Sequence, residues 1–238
     1  MDDVDLTQRV RELRAKGSSP KEIARALGVS PGKIAPLIRA IATADTTPIA
    51  ERELVGCWVS PGWQDGLTFD PRPEWPDGGP VEASAGGIVS VLVARREARH
   101  RVSACGYLVD TFCLGVKDAV GPKIMDHHGL HGFVSEYFKA HLAPPVEVPL
   151  ELAQHLVFGA VDYARNLGFE PHADFEAAAG HLGSWVGPSA IGFGRDGKPF
   201  YVEGPYDDTS AVMKTLERTV GHGNFHYLVG MRQMGTLL

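Results

Sequence analysis

The sequence predicts an α+β protein: a small tri-helical helix-turn-helix module followed by a mixed α+β domain with a four- or five-stranded sheet. Three observations predict it. Apolar residues recur at three- and four-residue spacings through residues 6–41, the period of amphipathic helices. Beyond residue 56, short β-branched runs alternate with longer helical patterns. Hydrophobic residues make up 44% and charged residues 22% of the 238-residue chain, near the soluble-domain average, so most of it has apolar surface enough to bury a core.

From the N-terminus, Val10, Leu13, Ile23, Ala24, Leu27, Ile34, Leu37, Ile38 and Ile41 form a helical stripe broken twice by small residues, which predicts three short helices. Gly17 closes the first. Ser18 or Ser19 caps the second, with Pro20 in its opening turn, and Gly28 closes it before Ser30 caps the third. Thr46, Thr47 and Pro48 give residues 43–55 linker composition, so the expected organisation is a module over 1–42, a linker over 43–55 and a domain over 56–238. Between Ser60 and Gly87, five prolines and many glycines forbid helix or regular sheet, while Trp63, Phe69 and Trp75 imply a long irregular segment packed on the domain. Residues 88–94 and 102–109 are β-branched runs flanking the polar stretch 95–101, a hairpin by pattern. Helical patterns follow over 133–141 and 150–166, the latter stopped by Gly168. Residues 190–193 and 199–203 predict a second hairpin around Asp196-Gly197, because Asp-Gly accepts the positive φ angles of a tight turn. A helix over 209–220 and a strand over 225–229 complete the domain.

The formal net charge of -6 provides no whole-protein basic field for nucleic acid or an anionic membrane, so any such attraction must be local. Cys57, Cys105 and Cys113 form no C-x-x-C pair and are odd in number, which suits core thiols in a reducing compartment rather than a disulfide scaffold. The acidic start, Met1-Asp2-Asp3-Val4-Asp5, has no apolar run behind it, and no stretch reaches the ~20 apolar residues of a membrane-spanning helix. The expectation is a cytoplasmic protein with no membrane partner.

Within the module, Lys16-Gly17-Ser18-Ser19-Pro20-Lys21-Glu22-Ile23-Ala24-Arg25-Ala26-Leu27-Gly28-Val29-Ser30 resembles the helix-turn-helix of resolvase-like and sigma-region-4-like bacterial DNA-binding proteins. The resemblance implies that the helix beginning at Pro31 enters the major groove, with Lys21, Ser30, Lys33 and Arg39 as DNA contacts. The physical pattern agrees: Ile23, Ala24 and Leu27 face inward, Ala24 is small enough for two helices to cross closely, and Gly28 suits a left-handed turn. Residues 1–42 hold eight basic and five acidic side chains, an excess of three (8 − 5) that favours phosphate contacts. The reading surface is nonetheless poor, since Pro31, Gly32, Lys33, Ala35 and Pro36 offer base edges one donor, Lys33. Pro36 also removes a backbone hydrogen bond inside the third helix.

In the larger domain, Gly192-Phe193-Gly194-Arg195-Asp196-Gly197-Lys198 matches G-x-G-x-x-G and part of a P-loop. A phosphate loop follows a strand and opens a helix, whereas here strand-like Pro199-Phe200-Tyr201-Val202 follows, so the segment reads as a Gly-rich turn. His127 and His131 are metal-ligand candidates by their spacing, although Gly129 and Gly132 favour a solvated loop there. His172 and Asp174 can reach one centre from a turn, as a ligand pair or an acid/base couple; Asp174 equally fits a helix cap. Asp110 and Asp118, around Lys117, lie near a strand end where carboxylates with Asp126 could hold a divalent ion, and turn formation with a paired lysine explains them as well. No G-x-S-x-G nucleophile elbow occurs, and Cys113 has no recognisable catalytic neighbourhood. The blocks Gly106-Tyr107-Leu108-Val109-Asp110, Cys113 to Asp118, Leu167 to Asp174, Gly197 to Tyr201 and Gly223 to Tyr227 resemble an uncharacterised bacterial protein family. That resemblance implies a shared fold and nothing about chemistry.

The leading expectation is therefore a DNA-binding protein, a transcriptional regulator with duplex DNA as partner, homo-oligomeric if it reads paired half-sites, whose α+β domain senses a ligand or mediates assembly. The rival is a metal-dependent enzyme acting on nucleic acid or nucleotide, with a divalent metal as cofactor and Asp110, His172 and Asp174 converging on it. A third makes the module a protein-docking element.

Overall fold

The computed structural model describes residues 3–44, 47–79, 86–98 and 100–230, and the chain divides into two compact units, Met1–Pro48 and Ile49–Leu238. The division falls inside the expected linker.

The first unit holds three helices, α1 (Asp3–Ala15), α2 (Pro20–Leu27) and α3 (Pro31–Ala44). Leu6 and Val10 of α1, Ile23 and Ala24 of α2 and Ile34 of α3 form its buried core, with Leu13, Leu27, Val29, Leu37 and Ile38 packed around them. The start of α2 is set by a capping box: the Glu22 N–H donates to Ser19 Oγ at 3.4 Å, and the Ser19 N–H donates to the Glu22 carboxylate at 2.7 Å. Its end is set by Gly28, left-handed at φ 65°, which lets the Val29 N–H reach back to the Ala24 carbonyl at 3.1 Å. Pro36 sits inside α3, which continues past it.

The second unit is built on a five-stranded antiparallel sheet. After a single 3-10 turn at Ile49–Glu51 come β1 (Leu54–Val59), β2 (Thr68–Phe69), β3 (Ile88–Ala98), β4 (Arg101–Asp110) and β5 (Gly115–Met125). They are followed by α4 (His127–Tyr137), β6 (Val146–Glu147), α5 (Leu150–Asn166), α6 (Phe175–Ala179), β7 (Ile191–Gly192), β8 (Phe200–Val202), α7 (Thr209–Thr219) and β9 (His226–Leu228). The main sheet runs β5-β4-β3-β1-β6, while β2 pairs with β7 and β8 pairs in parallel with β9.

Both faces of the main sheet are covered. On one, Val91, Val93, Cys105, Tyr107 and Val109 meet Leu152, Leu156, Val157 and Ala160 of α5 and Phe175 and Ala178 of α6. On the other, Ala94, Val102 and Ala104 meet Leu130, Phe133 and Val134 of α4. A further cluster of Cys113, Leu167, Tyr201, Leu216 and Phe225 fastens β8, α7 and β9 to the end of α5. The β4–β5 turn lies so close to α5 that a Cβ on Gly115, at φ 70°, would stand 2.9 Å from the Ala160 carbonyl oxygen.

Four sequence expectations change. The polar stretch 95–101 is not a loop: β3 and β4 run through most of it, and Arg95 is only 4% exposed because its guanidinium donates to the carbonyls of His181 (2.7 Å) and Arg52 (2.8 Å). Asp196 and Gly197 do form a left-handed turn closed by an Arg195–Lys198 bridge, but the flanking strands pair elsewhere, β7 with β2 and β8 with β9. The helix expected over 133–141 begins at His127, because Asp126 caps it by accepting from the Gly129 N–H at 2.7 Å. Lys117 and Asp118, expected around the end of the second strand, lie within a further strand, the edge strand β5.

Candidate functional site

Two places concentrate the expected chemistry, and each unit carries one. In the first unit, α2 and α3 are joined by Gly28, Val29 and Ser30, and the capped, tightly turned pair leaves the opening of α3 outward. Pro31, Gly32, Lys33, Ala35 and Pro36 are exposed while Ile34 is fully buried, so one face of the first two turns is anchored and the other is free. Lys21 and Ser30 are exposed as well, as are Arg14, Lys16 and Arg25. The Arg39 side chain lies outside the described residues. Exposed acids near these groups are Glu12 and Glu22, and Glu22 is held in the α2 cap, where hydrogen bonds from Ser19 keep its carboxyl below the usual range.

In the second unit, the described residues hold one group of three side chains with metal-ligand spacing: Asp118, His172 and Asp174, whose ligand atoms all lie within 4.8 Å of one another. Asp118 comes from edge strand β5. The other two come from the turn between α5 and α6, which Gly168 opens at φ 92° and which docks on β5 where the His172 N–H donates to the Val116 carbonyl at 2.9 Å. His172 Nδ1 is 3.8 Å from an Asp118 oxygen and 3.7 Å from an Asp174 oxygen. Those distances are too long for hydrogen bonds and near the separation of two ligands sharing one ion at ~2 Å. The three side chains are 44%, 62% and 69% exposed for His172, Asp118 and Asp174 respectively, so solvent would complete the coordination sphere of any ion. The Asp174 N–H also approaches His172 Nδ1 at 3.3 Å, while the Asp174 side chain makes no cap bond to α6.

Asp110 does not join this group. It is buried, and its carboxylate accepts from the Phe112 and Cys113 N–H groups at 2.9 and 3.0 Å, closing the β4–β5 turn. Burial pushes its carboxyl up to about 6 against the pull of those bonds. Lys117, expected beside Asp110 and Asp118, instead donates to both carboxylate oxygens of Asp207 at 2.8 Å. His127 and His131 are exposed on α4, and no third ligand completes a metal set with them among the described residues. His127 Nε2 lies 3.4 Å from the Arg96 guanidinium, an unfavourable neighbour for a cation.

Sequence reasoning missed a buried polar cluster. His181 Nε2 is 2.8 Å from Ser103 Oγ and His181 Nδ1 is 3.3 Å from Cys105 Sγ, beside Arg95. Burial pushes His181 down to about 4 and Cys105 up to about 12, so both are neutral near pH 7 and this is not an activated thiolate–imidazolium pair. Cys105 and His181 lie 76 residues apart, and no local motif announces the contact. Comparison with models of protein families, with curated proteins and with solved structures finds no match to this chain.

Proposed function

We propose that the chain binds duplex DNA through its first unit and acts as a transcriptional regulator, with α3 laid in the major groove. The observation that carries the reading is the α2–Gly28–α3 connection: a capped helix, a three-residue turn opened by left-handed Gly28, and a following helix anchored by Ile34 with its N-terminal face open. Lys33 stands in the first turn of that face, and Lys21 and Ser30 flank it where phosphates of the groove wall would lie. With one donor for base edges, affinity rests on phosphate contacts and sequence specificity is weak. The larger domain senses a ligand or mediates assembly.

The test is binding of the full chain to random-sequence duplex across a salt series from about 50 to about 200 mM. Affinity should fall steeply with salt, and the Lys21→Ala, Lys33→Ala double variant should flatten the log–log slope by about 2, roughly 0.9 per phosphate lost. Wild-type binding that ignores salt, or is absent, overturns the reading.

A second reading keeps the metal-dependent chemistry but replaces Asp110 by Asp118. It is favoured by the convergence of Asp118, His172 and Asp174, two carboxylates and an imidazole that suit a divalent transition ion with open positions for water. Calorimetric titration of chelator-treated protein with Zn2+ or Mn2+ should find one site that Asp118→Asn and His172→Gln each remove. Undiminished binding in His172→Gln would sink it.

A further inference from the structure

The Asp196-Gly197 turn, rejected as a P-loop from sequence, borders an open basin of about 500 Å3 lined by Arg195, Asp196, Lys198, Phe200 and His226. That volume falls within the range of small-molecule sites. Three of the five lining side chains, Arg195, Lys198 and His226, carry nitrogen donors, and they come from separate places: the two ends of the turn and strand β9. Arg195 and Lys198 are bridge partners, so their side chains leave the same face of the turn directly opposite one another. Like charges so placed repel and destabilise the pair. Among the described residues none of Arg195, Lys198 and His226 makes an ion pair. Among the described residues, Asp196 is the single carboxylate lining the basin. The Arg195 guanidinium carbon lies 5.2 Å from the Phe200 ring centroid, so a cation stands over an aromatic ring at one wall of the basin.

We infer that this basin binds a small anion carrying two or more phosphate groups, of nucleotide size, seated between Arg195 and Lys198 with His226 opposite. The guanidinium fork suits a bidentate grip on phosphate oxygens, and Lys198 supplies a point charge to a second phosphate. A bound anion relieves the repulsion between the bridge partners, so the ligand contributes stability that the free turn lacks. This site lies wholly in the second unit and stands apart from DNA binding by the first.

The experiment is isothermal titration of the full chain with inorganic pyrophosphate at low ionic strength, repeated with ATP and with a random-sequence duplex. Pyrophosphate should bind at one site and raise the Tm of wild type by a few degrees. The Arg195→Gln, Lys198→Gln double variant should bind at least tenfold more weakly and lose the Tm shift, while melting no lower than wild type without the anion. His226→Gln should weaken binding severalfold. The Lys21→Ala, Lys33→Ala variant should bind pyrophosphate as wild type does, which separates this site from the N-terminal unit. ATP should compete with pyrophosphate. Absence of pyrophosphate binding, equal binding in the double variant, or displacement by duplex but not by ATP would each overturn the proposal.

Discussion

Asp110 and His181 are both buried in the second unit, and burial moves their proton affinities in opposite directions. Asp110 is raised to about 6 from an ordinary 3.8, so between those values the folded state holds a proton that the unfolded state has lost. Its contribution to stability therefore falls as pH rises from about 4 to 6. His181 is lowered to about 4 from 6.5, so in that window the folded state holds fewer protons than the unfolded one, and its contribution rises with pH. Substitution separates them. In urea denaturation followed from pH 4 to 6.5, Asp110→Asn should make stability climb more steeply with pH than in wild type, whereas His181→Gln should make it climb less or decline. The differences should amount to roughly 1–3 kcal/mol across the window, since each tenfold change in proton affinity is worth about 1.4 kcal/mol. Parallel pH profiles for all three proteins would contradict these assignments. Arg95 offers a second residue-scale prediction. Its guanidinium satisfies two carbonyls, those of His181 and Arg52, so Arg95→Ala should cost about 2–4 kcal/mol. Lysine should rescue little, because one ammonium cannot reproduce the spread of the planar fork.

Among the elements, α3 carries the clearest internal conflict. Pro36 deletes a backbone hydrogen bond in its middle and crowds the preceding turn. Pro36→Ala should stabilise the first unit by about 1–3 kcal/mol, seen as a higher melting temperature of that unit. An unchanged or lower midpoint would mean that the helix bends at Pro36 to fit its neighbours. Gly28→Ala should act oppositely, because its φ of 65° places any Cβ in a disfavoured region, with a cost of about 1 kcal/mol and weaker DNA binding in proportion. The elements also explain the misread hairpin. Asp196-Gly197 has the chemistry of a tight turn, and the turn forms. Strand pairing answers to a different requirement, the burial of Ile191 in the main core and of Tyr201 in the separate cluster with Cys113, Leu167, Leu216 and Phe225. Turn chemistry acts over two residues and cannot choose partners for the strands beyond it.

For the whole molecule, the two units bury separate cores of very different size. A core of the size found in residues 1–48 is marginal on its own, since small domains bury a smaller share of their surface. Calorimetry should resolve two transitions, and Ile23→Ala should lower the first by several degrees while leaving the second unmoved, with about 2–4 kcal/mol lost from the smaller core. A single transition shifted as a whole would show that the two cores unfold as one.

What the sequence determined by itself was whatever short-range physics decides. The apolar stripes, the Ser19 and Gly28 signals and the length of α5 follow from helical period, capping and left-handed turns, all set within a few residues. His172 and Asp174 were legible as a pair for the same reason, being two residues apart in one turn. Asp118 was visible as a turn residue or as a divalent-ion ligand with Asp110 and Asp126, not as a partner of His172 and Asp174. It became the third member because residues 115–125 are an edge strand and the His172 turn docks onto that edge through the Val116 carbonyl. Arg95 looked like loop because a charged residue inside a sheet is stable only when distant carbonyls receive it, here those of His181 and Arg52. The Ser103–Cys105–His181 cluster and the approach of His226 to the Arg195–Lys198 turn likewise depended on chain segments meeting. Tertiary structure alone decides such contacts, because the free energy of pairing a buried polar group or juxtaposing two charges depends on the neighbours that long-range packing brings, and no local period records them.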